Sequence, residues 1–279
     1  MNSIKHISSL FPNGKWLLCP PNYFDVKYEI NPWMNRDRVP LSAIAAEQWR
    51  RLHHTIIRLG AYVEYVEPSS EQPDLVFTAN AGLVRKNKVV ISKFKHKERQ
   101  GEEAIFENWF ASRGYEICKL QAGSFEGEGD ALFAGEVLFC GYGFRSDAES
   151  YKEVCNLLDV KDSVLCELID PRFYHLDICF CPLSSKLALY NPWGLSPESV
   201  ERMKKKIEMV PVVQKDAERF VCNAVVLGDS VVLPAGCDQT QKELEKLGYK
   251  SYAVELGEFL KGGGAAKCLS MRLSQVMDF

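Results

Sequence analysis

Short apolar runs come in pairs along this chain. Residues 131–133 and 137–140 flank Ala134-Gly135-Glu136, and residues 224–227 and 231–233 flank Gly228-Asp229-Ser230. Two β-prone runs around a glycine-containing turn read as a hairpin. A stretch of helical period follows each pair, over 99–112, 147–158, 197–207 and 239–247. Ser146-Asp147-Ala148-Glu149 has the form of a capping box, and Ser196-Pro197 sets a capping hydroxyl before a proline at the first helical position. Each helix leads into another short strand-like run, such as 115–120 or 252–256. The predicted unit is strand, strand, helix, strand.

This unit recurs. Its first apolar run is headed by Asn80, Asp130, Asp177, Asn223 or Cys268, which lie 50, 47, 46 and 45 positions apart. A fixed period in this range marks repeated supersecondary units, so Asn80, Asp130, Asp177 and Cys268 occupy equivalent places and can line one site. The last unit, from Cys268 to Leu273, has no second strand after it, while the run 16–19 has no strand before it. A helix over 42–59 and a strand over 61–66 follow that run. The two ends are therefore expected to complete one another in a fifth unit. Such closure removes the open edge that a row of strands otherwise leaves. We expect one α/β domain over residues 1–279, built round a central axis.

Composition narrows the function classes. Hydrophobic residues make up 46% of the 279, ample for a core. A net charge of −3 gives no global basic footprint for nucleic acid. No apolar stretch approaches the roughly 20 residues that span a bilayer, and residues 1–15 lack the apolar segment of a signal peptide. A cytoplasmic protein without membrane or nucleic-acid partners is expected. Of ten cysteines, Cys118, Cys140, Cys179, Cys181 and Cys222 sit inside apolar runs, where a free thiol behaves as a small hydrophobe. Without export, reduced thiols are the expectation.

Candidate chemistry gathers at the repeat positions. Cys268 follows Gly262-Gly263-Gly264-Ala265-Ala266-Lys267. Consecutive glycines let backbone approach a ligand closely, and the adjacent Lys267 charge could stabilise a thiolate. In Tyr174-His175-Leu176-Asp177, a strand would point His175 and Asp177 to the same face. Histidine can act as acid and base near neutral pH. Phe125-Glu126-Gly127-Glu128-Gly129-Asp130 packs three carboxylates into five residues ahead of an apolar strand. Its acidity would repel phosphate, and a calcium-loop spacing is absent. Carboxylates facing a thiol suit a cationic, hydrogen-bonding substrate, a guanidinium best. No second Cys/His pair at zinc-finger spacing accompanies His175, Cys179 and Cys181, which argues against a metal.

These pieces resemble the guanidine-modifying enzymes of the pentein superfamily, which includes arginine deiminases, dimethylargininases, amidinotransferases and arginine dihydrolases. The matching segments are Asp74-Leu75-Val76-Phe77-Thr78-Ala79-Asn80, the acidic turn, Gly141-Tyr142-Gly143-Phe144-Arg145, His175-Leu176-Asp177 and Gly264 through Cys268. Cys19-Pro20-Pro21-Asn22 and Ile30-Asn31-Pro32-Trp33-Met34 look most like the bacterial arginine dihydrolase branch. The resemblance implies a five-bladed α/β propeller, closed by its terminal strands. It implies Cys268 as nucleophile, His175 as proton shuttle, and Glu126 and Asp177 as guanidinium ligands, with the choice between Glu126 and Glu128 open. Arg99 and Arg145 would receive the substrate α-carboxylate. Asp130 matches the acidic turn, Phe77 would pack on the guanidinium plane, and Asn22 would lie near the substrate. No metal or organic cofactor is implied, the partner is a small guanidino compound, and a homo-oligomer is compatible. The departure from deiminases is Asn80, where they carry aspartate. The rival readings are dimethylargininase or deiminase, then amidino transfer, then a non-catalytic binding protein on the same scaffold.

Overall fold

The computed structural model of the protein describes residues 11–274. Its strands are β1 (Lys15–Leu18), β2 (Tyr62–Tyr65), β3 (Gly82–Arg85), β4 (Lys88–Ile91), β5 (Glu116–Cys118), β6 (Ala131–Ala134), β7 (Val137–Tyr142), β8 (Asp162–Glu167), β9 (Phe180–Pro182), β10 (Leu187–Tyr190), β11 (Glu208–Pro211), β12 (Val225–Leu227), β13 (Ser230–Pro234), β14 (Lys250–Val254) and β15 (Met271–Arg272). They form five three-stranded sheets of one design: β3-β4-β5, β6-β7-β8, β9-β10-β11, β12-β13-β14 and β15-β1-β2. In each, the first two strands are antiparallel, and the third returns parallel to the second. A parallel return needs a crossover, and the predicted helices supply it.

Local sequence explains these pieces. β13 reads Ser-Val-Val-Leu-Pro and is buried throughout, as a central strand with both faces covered must be. The helix Ser42–Arg58 buries Ala45, Trp49, Leu52 and Ile56, a stripe at spacings of four, three and four. Gly135 and Gly228 take positive φ in the hairpin turns, at 58° and 62°, the backbone that such two-residue turns demand. Ser196 caps the helix Pro197–Lys204 by accepting from the Ser199 N–H, as expected. The capping box at Ser146 does not form. The helix starts instead at Ser150, because the Ser146 hydroxyl is spent on Asp130 at 2.7 Å.

The ends of the described chain meet. Trp16 pairs with Arg272 and Leu17 with Met271, so β15 and β1 form the hairpin that neither makes alone. The five repeat positions sit on tight turns, and hydrogen bonds pass from turn to turn all the way round. Asn80 Nδ2 donates to Glu126 O (2.9 Å), and the Leu176 N–H donates to Asp130 Oδ1 (3.1 Å). Asn223 Nδ2 donates to Asp177 O (3.3 Å), the Cys268 N–H to Asn223 Oδ1 (3.0 Å), and the Ala79 N–H to Cys268 O (3.1 Å). This circuit is the mouth of a closed five-bladed α/β propeller. A cavity of about 970 Å³ opens among the hairpin turns and shares no lining residue with the chamber described next.

Candidate active site

The turns that begin each blade carry the chemistry. Cys268 is buried, its Sγ placed between two side chains: it donates to Asp177 Oδ2 at 3.2 Å and accepts from Asn223 Nδ2 at 3.0 Å. The preceding glycines are required by crowding. A Cβ on Gly264 would strike the Phe77 ring, and one on Gly263, whose φ is +87°, would lie 2.7 Å from Tyr174 Oη. Burial pushes the Cys268 thiol well above its usual range, and the neighbouring Asp177 charge adds to this. Burial likewise raises the Asp177 carboxyl to about 7, against the pull of Lys267. The resting pair therefore holds its proton. Lys267 was expected beside the thiolate, but its Nζ is bound to Glu128 Oε2 at 2.7 Å and to Ser270 O at 3.1 Å.

His175 and Asp177 do not share a strand. His175 is extended, with φ −123° and ψ 154°, and Leu176–Cys179 forms a helical turn. That turn starts where the Leu176 N–H is captured by Asp130. His175 Nε2 lies 2.8 Å from Glu126 Oε2, and both side chains are buried. Burial would raise Glu126, but Arg145, 2.9 Å away, and the His175 hydrogen bond outweigh it and hold the carboxyl well below its usual range. An anion is thus fixed against the imidazole, as a general acid–base requires for orientation. Glu128 points elsewhere, into its pair with Lys267 and the Arg272 N–H. Of the two candidate glutamates, Glu126 is the one beside the histidine. Asp130, raised to about 6 by burial, bonds the Ser146 hydroxyl and the Leu176 N–H. It braces the histidine turn from behind.

A small chamber reaches the thiol and the histidine, while Glu126, Asp130 and Asp177 stand behind its lining. Cys268, His175, Asn80, Phe77, Arg99 and Arg145 line it, with Asp74, Asn31 and Tyr174. About 10 Å³ is free, room for roughly one water. Arg99 is held by Glu102 through two 2.8 Å bonds and donates to Asn80 Oδ1 at 2.9 Å. Arg145 lies over the Tyr174 ring at 4.6 Å. Asn31 closes the chamber by donating to Gly262 O at 3.1 Å, so an arginine-sized ligand requires the cover to move. Asn22, expected near the substrate, is exposed and does not line the chamber; Asn31 of the same segment does, because the chain folds back over the mouth there. Asp74 was not singled out from sequence, although it opens the motif ending in Asn80. It is buried, accepts from Tyr28 Oη at 3.0 Å, and its Oδ1 has no hydrogen-bond partner. Asn223 was likewise noted only as a repeat centre, and that register was the signal that could have placed it in the site.

Residues 23–275 match the sequence profile described as N,N dimethylarginine dimethylhydrolase, eukaryotic. The chain belongs to this family. Within the wider family, it is 36% identical over 260 residues to the N(G),N(G)-dimethylarginine dimethylaminohydrolase of Mycobacterium tuberculosis, covering 93% of this chain and 85% of that protein. It is 45% identical over 266 residues to the bifunctional arginine dihydrolase/ornithine cyclodeaminase ArgZ of Synechocystis, covering 93% of this chain and 37% of ArgZ. The chain thus spans little more than a third of that bifunctional relative. A solved N-terminal domain of ArgZ, bound to product and described as an arginine dihydrolase from the ornithine–ammonia cycle in cyanobacteria, superposes with a TM-score of 0.90. That pair is 43% identical over 94% of this chain and 98% of the domain. The dimethylhydrolase-family chain therefore has the five-bladed pentein fold and lies near the arginine dihydrolase branch.

Proposed function

We propose that this chain is a cysteine-dependent hydrolase of a guanidino group, acting on L-arginine to give ornithine, carbon dioxide and two ammonia. The observation that carries this reading is a buried thiol and a carboxylate-braced histidine facing one chamber that Asn80 also lines. The matched span acts as one catalytic domain. Cys268 is the nucleophile and His175 the proton carrier, while Glu126, Asp177 and the unpartnered Asp74 Oδ1 take the N–H groups of the cation. Arg99 and Arg145 are the cations facing the same chamber and suit the α-carboxylate.

A guanidinium bound to Asp177 competes for the carboxylate that holds the thiol proton. The thiol proton passes to His175, the thiolate attacks the guanidinium carbon to form a C–S bond, and one C–N bond breaks as His175 hands that proton to the departing ammonia. Water deprotonated by His175 then attacks the thiouronium carbon, expels the thiolate and leaves citrulline. A second water completes the balance, giving ornithine, carbon dioxide and the second ammonia. Asn80 suits this repetition. Its amide both donates and accepts, so it can pair with a neutral ureido group as well as a cation, whereas an aspartate prefers the cation. The expected setting is a reducing, cytoplasmic one, consistent with ten free cysteines and with a chemistry that needs Cys268 as thiol.

The test is amino-acid analysis of products from L-arginine, for the native chain and for Asn80→Asp. Ornithine from the native chain and a shift towards citrulline in the variant are expected. Citrulline alone from the native chain would overturn the dihydrolase reading. A second reading, hydrolysis of a methylated arginine to citrulline with release of the methylated amine, is favoured by the family profile. Dimethylarginine assayed in parallel separates the two.

A further inference from the structure

The reaction proposed above makes no use of Asn223, which stands at the repeat position between Asp177 and Cys268. Its side chain is fully buried, and each of its polar atoms is committed to the surroundings of the sulfur. Nδ2 donates to Cys268 Sγ at 3.0 Å and to Asp177 O at 3.3 Å. Oδ1 accepts from the Ala265 N–H at 3.1 Å and the Cys268 N–H at 3.0 Å. We propose that Asn223 is a positioning residue, whose carboxamide pins the glycine-rich loop to the nucleophile and supplies the donor that the sulfur keeps when it becomes a thiolate. The proposal deepens the reading of Cys268 as the nucleophile and rests on it.

The two partners of Sγ act in opposite senses. Asp177 Oδ2 accepts from the thiol and so favours the protonated sulfur, while an amide N–H can only donate and favours the thiolate. When a cation occupies the chamber and claims Asp177, the opposing hold is released and the Asn223 donor remains. The Ala265 N–H also favours the thiolate, but it is held by Asn223 Oδ1 and so depends on the same side chain, while Lys267 directs its ammonium to Glu128 and Ser270. In a buried site a single fixed donor counts for more than it does in water.

A residue that merely packed the loop would not alter the proton affinity of the sulfur, and this difference is measurable. The probe is iodoacetamide alkylation of Cys268 in the full, ligand-free chain, followed across pH by mass spectrometry of the peptide containing it. Asn223→Asp keeps an acceptor for the Ala265 and Cys268 N–H groups but replaces the donor at sulfur by a carboxylate oxygen. A hydrogen bond to a charged group corresponds to about one to two pH units, so the alkylation midpoint should rise by about that much. The kcat should fall by about 10- to 100-fold, with KM nearly unchanged. A new carboxylate by itself raises a neighbouring thiol, so the deciding variant is Asn223→Ala, which removes the donor without adding charge and should also shift the midpoint upward. An unshifted midpoint in either folded variant overturns the proposal, and failure of both to fold would assign Asn223 to the architecture alone. Alkylation needs no substrate, so an unexpected product from arginine leaves this test intact.

Discussion

At the residue scale, the site is governed by burial acting on charge. Asp177, Asp130, Glu102 and Glu126 all lie in the interior, and burial pushes each carboxyl up. Only Glu126 ends below its usual range, because Arg145 and His175 both face it. Its anion is therefore permanent, while Asp177 sits near 7 and can exchange its proton with the thiol beside it. A carboxyl raised in the folded state binds protons more tightly there than in the unfolded chain. Its contribution to stability is complete below the unfolded value of about 4 and is lost as pH rises through about 7. Asp177→Asn removes that dependence. Chemical denaturation should show the native chain losing ground to this variant by a few kcal/mol between pH 4 and pH 7. A constant difference across that window would mean that Asp177 is not proton-loaded in the fold. The sequence made the residue types legible here: a thiol, a histidine and an acidic turn at repeat positions. It did not show which glutamate faces the histidine, because Glu126 and Glu128 flank one glycine whose φ of +58° turns them apart.

At the element scale, the functional groups ride on tight turns rather than on strands. Reading His175 and Asp177 as strand neighbours failed for this reason: a two-residue alternation cannot reveal that a distant carboxylate, Asp130, takes the Leu176 N–H and starts a helical turn. Ser146 tells the same story, since its hydroxyl braces Asp130 instead of capping the helix that follows. The glycine-rich loop is the opposite case. Its close approach to the site was readable, and the contacts are those of backbone against Phe77, Tyr174 and Asn31. Gly264→Ala would force a methyl group into the Phe77 ring and against Cys268 Cβ, 3.0 Å away. Overpacking of this kind costs about 1–3 kcal/mol, and Cys268, the proposed nucleophile, would move with it. Thermal melting should show the loss of stability, and steady-state assays a fall in kcat of at least about 10-fold. A variant with unchanged melting and kcat would show that the loop relaxes freely.

At the scale of the whole molecule, the ring is closed by two short strands from opposite ends of the chain and by a circuit of hydrogen bonds between turns. Cys268 belongs to the last unit and hands its carbonyl to Ala79 of the first full one. Closure and catalysis are thus one structural problem. A chain ending at Ser270 would leave β1 without its antiparallel partner and expose an unpaired edge. It should melt at lower temperature and scatter light on heating, and a shortened chain that melts like the native one would show β15 to be dispensable. The repeat itself, the five-unit architecture and the joining of the ends were all determined by sequence, because a period near 47 residues and complementary half-units survive in the order of residues alone. The helix and strand positions followed from local periodicity to within a few residues. Tertiary structure alone decided that Glu126 rather than Glu128 meets the histidine, that Asn31 rather than Asn22 covers the chamber, and that Asn223 holds the sulfur. Each of those outcomes depends on directions in space set by turns and by contacts between units far apart in the chain. A linear pattern records spacing along the backbone, and these contacts are fixed only when the ring has closed.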